Sequence, residues 1–248
     1  MNNLIQINKT DSRFFGAKAI DWKIAIPLSR EQVIREEAEL IQKFNPFIIT
    51  VFISHHDIQS IATFTSCGYE FIESRLLVER EMDDSNVIFN LFPYEFIEVT
   101  EKSQLKKIRE LFEHFQFDDR FSIDPKIDKK LGQQRNFYFL EQSLKRKDEY
   151  IYMLQNSITH EISGFRSFKI SPGYEASLLV SGIIEKPGED ICELINIFEL
   201  EKLSDMNIRR VKAVISITNT DEINRYIAKY GYTLSGSKIV LRKMVIRE

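Results

Sequence analysis

Near the carboxyl end the chain reads NTDEINRYIAKYGYTLSG, residues 219 to 236, directly after the alternating apolar run VKAVISI. Asn219 closes the strand-like run, Tyr226 follows it, and Gly231-Tyr232 stands where a helix begun at Asn219 must stop. A phenol has a reference pKa of about 10, so at neutral pH it is a proton donor rather than a base. Tyr226 and Tyr230 both carry that chemistry, but Tyr230 sits beside the helix stop, where packing is the expected role. Other chemistries find less support. The four histidines, among them the adjacent His55 and His56, lack nearby cysteines or acids at metal-ligand spacing, so no metal is expected. Cys67 and Cys192 lie far apart and form no C-x-x-C pair, which argues against a disulfide framework and for a reduced, cytoplasmic setting.

The bulk composition excludes further classes. With 34 basic and 37 acidic side chains well mixed along 248 residues, the net charge of -3 gives no face for neutralising nucleic-acid phosphates. The first residues, MNNLIQINKTDSRFF, carry no basic leader with an apolar run behind it. No stretch approaches the roughly 18 uninterrupted apolar residues of a membrane span. Hydrophobic residues make up 43 % of the chain, enough for a sizeable core in one large or two small domains. Oligomeric state is not legible, and a homodimer is left open.

Helices and strands alternate around these residues. SREQVIREEAELIQKF opens with Ser29 and Gln32 in capping-box spacing and keeps its apolar members largely on one face, which predicts a helix. Pro46 ends it, the β-branched run FIITVFIS follows, and then come a short helix at DIQSIATFTSC, a stop at Gly68-Tyr69 and a strand at FIESRLLVER. Residues 211 to 243 repeat the order of strand, helix, Gly-Tyr, strand, with Ser74 falling on Ser237 and His55 and His56 near the position of Asn219. The stretch between strand and glycine differs by about one residue, so the two segments read as distant copies. Acids, Asn and Pro93 interrupt the pattern between 82 and 96, which places a boundary near residue 95 and gives domains 1–95 and 96–248. Beyond it Leu105, Ile108, Leu111, Phe112 and Phe115 form a helical stripe, and a second helical region covers about 125 to 146. Three strand candidates, EYIYMLQ, EISGFRSFKI and EASLLVSGII, precede a helix from about 191 to 206.

This order, with a strand ending at VSGII, a Gly-containing turn, a helix and the later Asn-to-Tyr-to-Gly-Tyr unit, resembles the GNAT superfamily of acyl-CoA-dependent N-acyltransferases. DSRFFG at 11 to 16 and DDRFSIDPKIDKKLGQQRNFYFLEQSL at 118 to 144 are similar to segments of the TDP-fucosamine acetyltransferase group, which carries a reduced GNAT-like unit ahead of a complete one. The resemblance implies an α/β (α+β) fold: a mixed, mainly antiparallel sheet flanked by helices, preceded by a reduced GNAT-like amino-terminal unit. It implies acetyl-CoA as co-substrate and a small-molecule amine acceptor, an amino-sugar nucleotide in surface-polysaccharide biosynthesis. A binding protein of the same fold without turnover, and acylation of a protein or a polyamine, are the alternatives.

The resemblance also assigns residues. The strand SLLVSGII would splay from its neighbour and offer the backbone of Ile183 and Ile184 to the pantetheine arm. The turn EKPGEDICEL would meet the pyrophosphate at Gly188, although Pro187 lacks an amide and Glu189 and Asp190 would repel phosphate. Those acids also suit a plain helix start, since Asp190 and Glu193 have capping-box spacing and Lys186 offsets part of their charge. Asn219 would contact the CoA arm, and Tyr226 would protonate the departing thiolate. Gly231 follows Tyr226 by five residues where four is common in the family, which would turn the ring, with Tyr230 as the fallback. His160 and Glu175 are the candidate bases for the incoming amine. Phe14, Phe15, Asp119, Arg120 and Phe121 lie in the two group-like segments and would shape or brace the acceptor side.

Overall fold

The computed structural model describes residues 2–82, 92–115, 117, 119–184 and 190–245. In chain order the elements are β1 (Leu4–Ile7), α1 (Lys9–Phe15), β2 (Ala19–Lys23), α2 (Arg30–Phe44), β3 (Ile48–Ser54), α3 (Ile58–Ser66) and β4 (Glu70–Glu81). There follow β5 (Tyr94–Glu98), α4 (Lys102–Leu111), α5 (Arg120–Ile123), α6 (Lys129–Ser143), β6 (Glu149–Asn156), β7 (Ile162–Ser171) and β8 (Glu175–Ile183). The chain closes with α7 (Ile191–Asp205), β9 (Arg210–Ser216), α8 (Thr220–Asn224), a π-helical turn (Arg225–Lys229) and β10 (Thr233–Met244). Two compact units result, and they interleave along the sequence. The first comprises Met1–Leu77, Ile215–Ile223 and Leu234–Glu248; the second comprises Val78–Val214 and Asn224–Thr233.

In the first unit β2 runs parallel to β3, while β1 pairs antiparallel with β2 and β10 antiparallel with β3. The last strand of the chain therefore completes the sheet of its first residues. One face of that sheet carries Trp22, Val51, Ile53 and Leu241 into a core with Val33 and Leu40 of α2 and Phe64 of α3. The capping box expected at Ser29 and Gln32 is present in both directions and starts α2. β3 reads plainly in the sequence because burial on both faces makes Ile48 to Val51 all apolar or small.

In the second unit β5, β6, β7 and β8 form an antiparallel meander, and β9 joins β8 in parallel. One face packs Ile151, Met153 and Phe165 against Leu105 and Ile108 of α4, Phe112 and Phe115 of the 3₁₀ turn that ends the expected stripe, and Phe137 and Leu140 of α6. The other receives α7, whose Ile191 and Ile195 meet Leu154. α5 and α6 approach so closely that a Cβ on Gly132 would stand 2.8 Å from the Phe121 carbonyl oxygen, which is why that helix position holds glycine. Each unit is thus a mixed sheet with helices on its faces, the fold class expected from the sequence.

The internal repeat has a structural counterpart. Gly68 and Gly231 both adopt positive φ, 87° and 70°. The tyrosine after each donates its N–H back into the preceding helix, Tyr69 to the Phe64 carbonyl and Tyr232 to the Tyr226 carbonyl. The second bond spans one residue more. The π-helical turn absorbs that extra residue, through a bond from the Tyr230 N–H to the Arg225 carbonyl.

Candidate active site in the second unit

β8 determines the candidate site. Its parallel pairing with β9 covers only Glu175, Ala176 and Ser177 against Arg210, Val211 and Lys212, while its pairing with β7 continues to Ile183. The strands part just where β8 is bulged. Arg166 faces Ser181 and Phe168 faces Leu178, so Ser167 alone opposes both Leu179 and Val180. The Ser167 hydroxyl fills the bulge, donating to the Val180 carbonyl at 2.8 Å and accepting from its N–H at 3.0 Å. A bulge bends its strand, and here it turns the far half of β8 away from β9.

The bend leaves the edge of β8 available as a backbone ladder. The Ile184 N–H donates to the Ser163 carbonyl at 2.8 Å, on the β7 side. Antiparallel residues alternate in direction, so Ile183, opposite Gly164, aims its N–H and C=O at the edge where β9 has departed. The two backbone groups assigned from the sequence thus divide: Ile183 faces the opening, whereas the Ile184 N–H is used within the sheet. Gly182 keeps this segment in place beneath two rings, since a Cβ there would lie 2.7 Å from Phe165 Cε1 and 2.8 Å from Phe115 Cγ.

At the closed end of the opening, the Glu175 carboxylate accepts from Lys212 at 2.6 Å and Arg210 at 3.3 Å. The Lys212 hydrogen bond first, and then the charges of both cations, hold its pKa below the ordinary glutamate value. It is a tie between strands and a weak base. His160 is exposed, with φ of 59°, and its ring lies 3.2 Å from the Gln155 side-chain nitrogen, so neither base candidate points to the opening through a described contact.

The start of α7 is an ion-paired clamp. Asp190 caps the helix by accepting from the Glu193 N–H at 3.0 Å, as the spacing predicted, and its two oxygens accept from Arg225 at 2.7 Å each. Glu193 does not return the cap; its carboxylate pairs with Lys229 at 2.6 Å. Burial would raise the Asp190 pKa, but the Glu193 N–H and then Arg225 outweigh it and lower the value. Arg225 and Lys229, one turn apart beside Tyr226, were not singled out in the sequence. Their signal there is two acids three positions apart and two bases four positions apart in distant segments. Gly188 and Glu189 lie outside the described residues.

Tyr226 is 1 % exposed, its ring 4.6 Å from that of Tyr232 and 6.1 Å from that of Tyr230. Behind it β7 and α7 are locked by a buried polar group: Arg166 Nε lies 2.6 Å from Glu199 Oε2, and Arg166 donates to Asn196 Oδ1 at 2.8 Å. Asn219 belongs to the first unit, where it caps α8, accepting from the Glu222 N–H at 3.2 Å and donating to its carboxylate at 2.8 Å. Its counterpart in the repeat is Asp57, which caps α3 through the Ser60 N–H, so His55 and His56 precede that position by two residues and one.

The group-like segments fall in different units. Phe14 and Phe15 meet edge to face at 5.0 Å in the first, where Phe15 also packs on Phe47 at 4.8 Å. In the second, Asp119 is held by the Phe121 N–H, the Ser122 hydroxyl and the Asn136 amide, and the Arg120 guanidinium lies 4.7 Å from the Phe121 ring centroid. No group of three or more metal-ligating side chains occurs among the described residues, and no helix among them is long and apolar enough to cross a membrane.

The first unit has the same elements without the opening. Parallel pairing of β2 and β3 runs the full length from Ala19–Ile48 to Lys23–Phe52, and the Ile24 N–H continues it to the Phe52 carbonyl. Before α2, the Asn3 side-chain oxygen accepts from the Ala25 and Ile26 N–H groups at 2.8 Å each. Phe64, which has no hydroxyl, stands where Tyr226 stands in the second unit.

No family model and no curated protein matches the sequence. Solved structures do match the fold. A GCN5-related N-acetyltransferase from Sphaerobacter thermophilus superposes with a TM-score of 0.63 at 9 % identity, over 98 % of this chain and 76 % of that one. A tandem GNAT protein from the clavulanic acid biosynthesis pathway does so with a TM-score of 0.59 at 13 % identity, over 92 % and 76 %. The chain has the GNAT fold. A functionally unknown conserved protein from Staphylococcus epidermidis ATCC 12228 shares it, with a TM-score of 0.69 at 12 % identity over 96 % and 89 %. Among the described residues the parallel pair β8 and β9 parts after three residues, whereas the parallel pair β2 and β3 of the first unit stays together over five.

Proposed function

We propose that the protein is an acyltransferase that moves an acetyl group from acetyl-CoA to the amine of a small molecule. The observation that carries this reading is the parting of β8 from β9 beyond Ser177, which leaves the backbone of Ile183 directed at an unpaired edge. An extended amide chain such as pantetheine can add to such an edge as a strand would. Tyr226 is the proton donor for the departing thiolate, a step for which a phenol is already protonated at neutral pH. The resemblance adds Asn219 and Gly188 as CoA contacts and also names Ile184, whose N–H is instead held by the Ser163 carbonyl within the sheet. In the finer form of the proposal the acceptor is a nucleotide-linked amino sugar of the TDP-fucosamine type, made in the cytoplasm for surface polysaccharide. Phe14, Phe15, Asp119, Arg120 and Phe121 then shape its side of the protein. The division at residue 95 into a reduced unit and an acyltransferase unit belongs to the same reading.

A second reading, binding without turnover, draws on Asp190. Its carboxylate already occupies the start of α7, where an anionic ligand would otherwise find the helix amides. Calorimetric titration with acetyl-CoA separates the two. Micromolar affinity supports acyl transfer, and an absence of binding at millimolar ligand supports the second reading. In a protein that binds, Tyr226→Phe is expected to leave acetyl-CoA affinity unchanged and lower turnover by about 10²–10⁴, the usual weight of a general acid. Unchanged turnover removes Tyr226 from the mechanism. A screen of amino-sugar nucleotides against polyamines and peptide amines then tests the acceptor.

A further inference from the structure

The first unit carries a group of cations that its own packing does not use. Strand alternation places Lys23, Phe52, Ser54 and Lys238 on the sheet face opposite Trp22, Ile53 and Ile239, which enter the helix-side core. By register Lys23 of β2 lies opposite Phe52 of β3, and Lys238 of β10 lies opposite Ser54. Lys23 and Lys238 are two strand spacings and two residues apart, roughly 12 Å between backbones, within joint reach of their side chains. Arg75 of β4 brings its guanidinium to 5.9 Å from the Phe52 ring centroid and donates from Nε to Glu73 at 2.6 Å. Beside them the Ile217 N–H donates to the Ser74 carbonyl, which sets the Ser216 and Thr218 hydroxyls, 2.8 Å apart, along the same stretch of β4.

Two of these cations are left over. Among the described residues no carboxylate or side-chain acceptor meets Lys23 or Lys238. Lys238 is half-buried, and burial first, then the charges of Lys23 and Arg75, lower its pKa. Desolvation and like charge both disfavour an ammonium in this position. A fold gains nothing locally from such an arrangement, and uncompensated charge of this kind is characteristic of ligand sites.

We propose that Lys23, Arg75 and Lys238 form a binding site for the phosphate group of a soluble ligand, with Phe52 as its apolar wall. Arg75 is paired with the Glu73 carboxylate, and the two remaining lysines match a phosphate monoester dianion better than a carboxylate. Lys23 and Ser54 are exposed, so the site opens to solvent on the first unit. The proposal stands independently of acyl transfer.

The test is titration of the full chain at low ionic strength with inorganic phosphate, phenyl phosphate and acetate, followed by calorimetry and phosphorus NMR. Saturable binding of both phosphates, at least tenfold tighter than acetate, is expected. The Lys23→Met/Lys238→Met variant should bind them at least tenfold more weakly while its urea midpoint stays equal or rises, because like charges have been removed. Equal affinity for acetate and phosphate overturns the proposal, as does unchanged phosphate affinity in the variant. A structural role for the lysines predicts the opposite pattern, a lower midpoint with binding intact. Vesicles of phosphatidic acid form a separate arm: if they retain the protein through these lysines while soluble phosphates do not bind, the soluble-ligand assignment is overturned in favour of a lipid headgroup.

Discussion

Gly182→Ala probes the bent half of β8 directly. An added Cβ would lie 2.7 Å from Phe165 Cε1 and 2.8 Å and 3.0 Å from Phe115 Cγ and Cδ1, all inside normal contact. Neither ring can withdraw easily: Phe115 and Phe165 are 1 % and 0 % exposed and pack on each other with centroids 5.2 Å apart. Overpacking of this kind costs about 1–3 kcal/mol. The lost backbone freedom of glycine in the unfolded chain returns about 0.4–1 kcal/mol where the native conformation suits alanine. The net loss is therefore about 1–2 kcal/mol, which at a urea dependence of about 2–3 kcal/mol per molar lowers the midpoint by roughly 0.5 M. Because Gly182 precedes Ile183, acetyl-CoA affinity should fall as well. The decisive measurement is a double-mutant cycle with Phe115→Leu, in which a smaller side chain should recover much of the penalty. If Gly182→Ala is as stable as the parent, or its penalty is unchanged beside Phe115→Leu, the contact between this glycine and the rings does not limit β8.

Two further outcomes follow from the charges around α7. Arg166→Met leaves Glu199, 1 % exposed, without its cation and is expected to cost about 3–5 kcal/mol, with most of it recovered in Arg166→Met/Glu199→Leu; thermal unfolding with no loss in the single variant would contradict the buried pair. The Asp190 pKa is lowered in the folded protein, so its contribution is complete above the ordinary aspartate value, about 3.9, and is lost as pH falls through the lower folded value. Both Asp190 and Arg225 are partly exposed, so that contribution is below about 1 kcal/mol and fades with salt. Urea midpoints from pH 7 to pH 2.5 should show a shallower acid limb in Arg225→Met than in the parent, and identical limbs would remove the pair from the account.

The elements that follow local rules were legible. α2 announces itself through Ser29 and Gln32, and α7 through Asp190, because a helix start satisfies its free amides with residues three positions apart. The π-helical turn was foreshadowed by the fifth residue between Tyr226 and Gly231, although the helix absorbs it by widening rather than by ending early. β5 was read as part of a boundary because five residues at a sheet margin show too little alternation, and Pro93 stands directly before them. α1 coincides with the group-like DSRFFG segment, and β2 has no counterpart among the elements expected from the sequence. The bulge in β8 carries no mark in SLLVSGI itself, since its cause is the hydroxyl of Ser167 on another strand. Asp190 with Arg225, and Lys23 with Lys238, are likewise products of strand and helix placement, joined across 35 positions or more and carrying no local signature.

The pairing of β10 with β3 has a consequence during synthesis. A ribosome delivers the amino-terminal elements first, yet β3 lacks its antiparallel neighbour until residues 234 to 244 have been translated and have cleared the exit tunnel. Until then the nascent chain holds a bare strand margin of Ile48, Ile49, Val51 and Ile53, the kind of surface that recruits other strands. Vectorial folding, in which early segments finish before late ones appear, is closed to the first unit. An interruption of synthesis before residue 234 would strand an early segment, β3, rather than only the residues near the interruption.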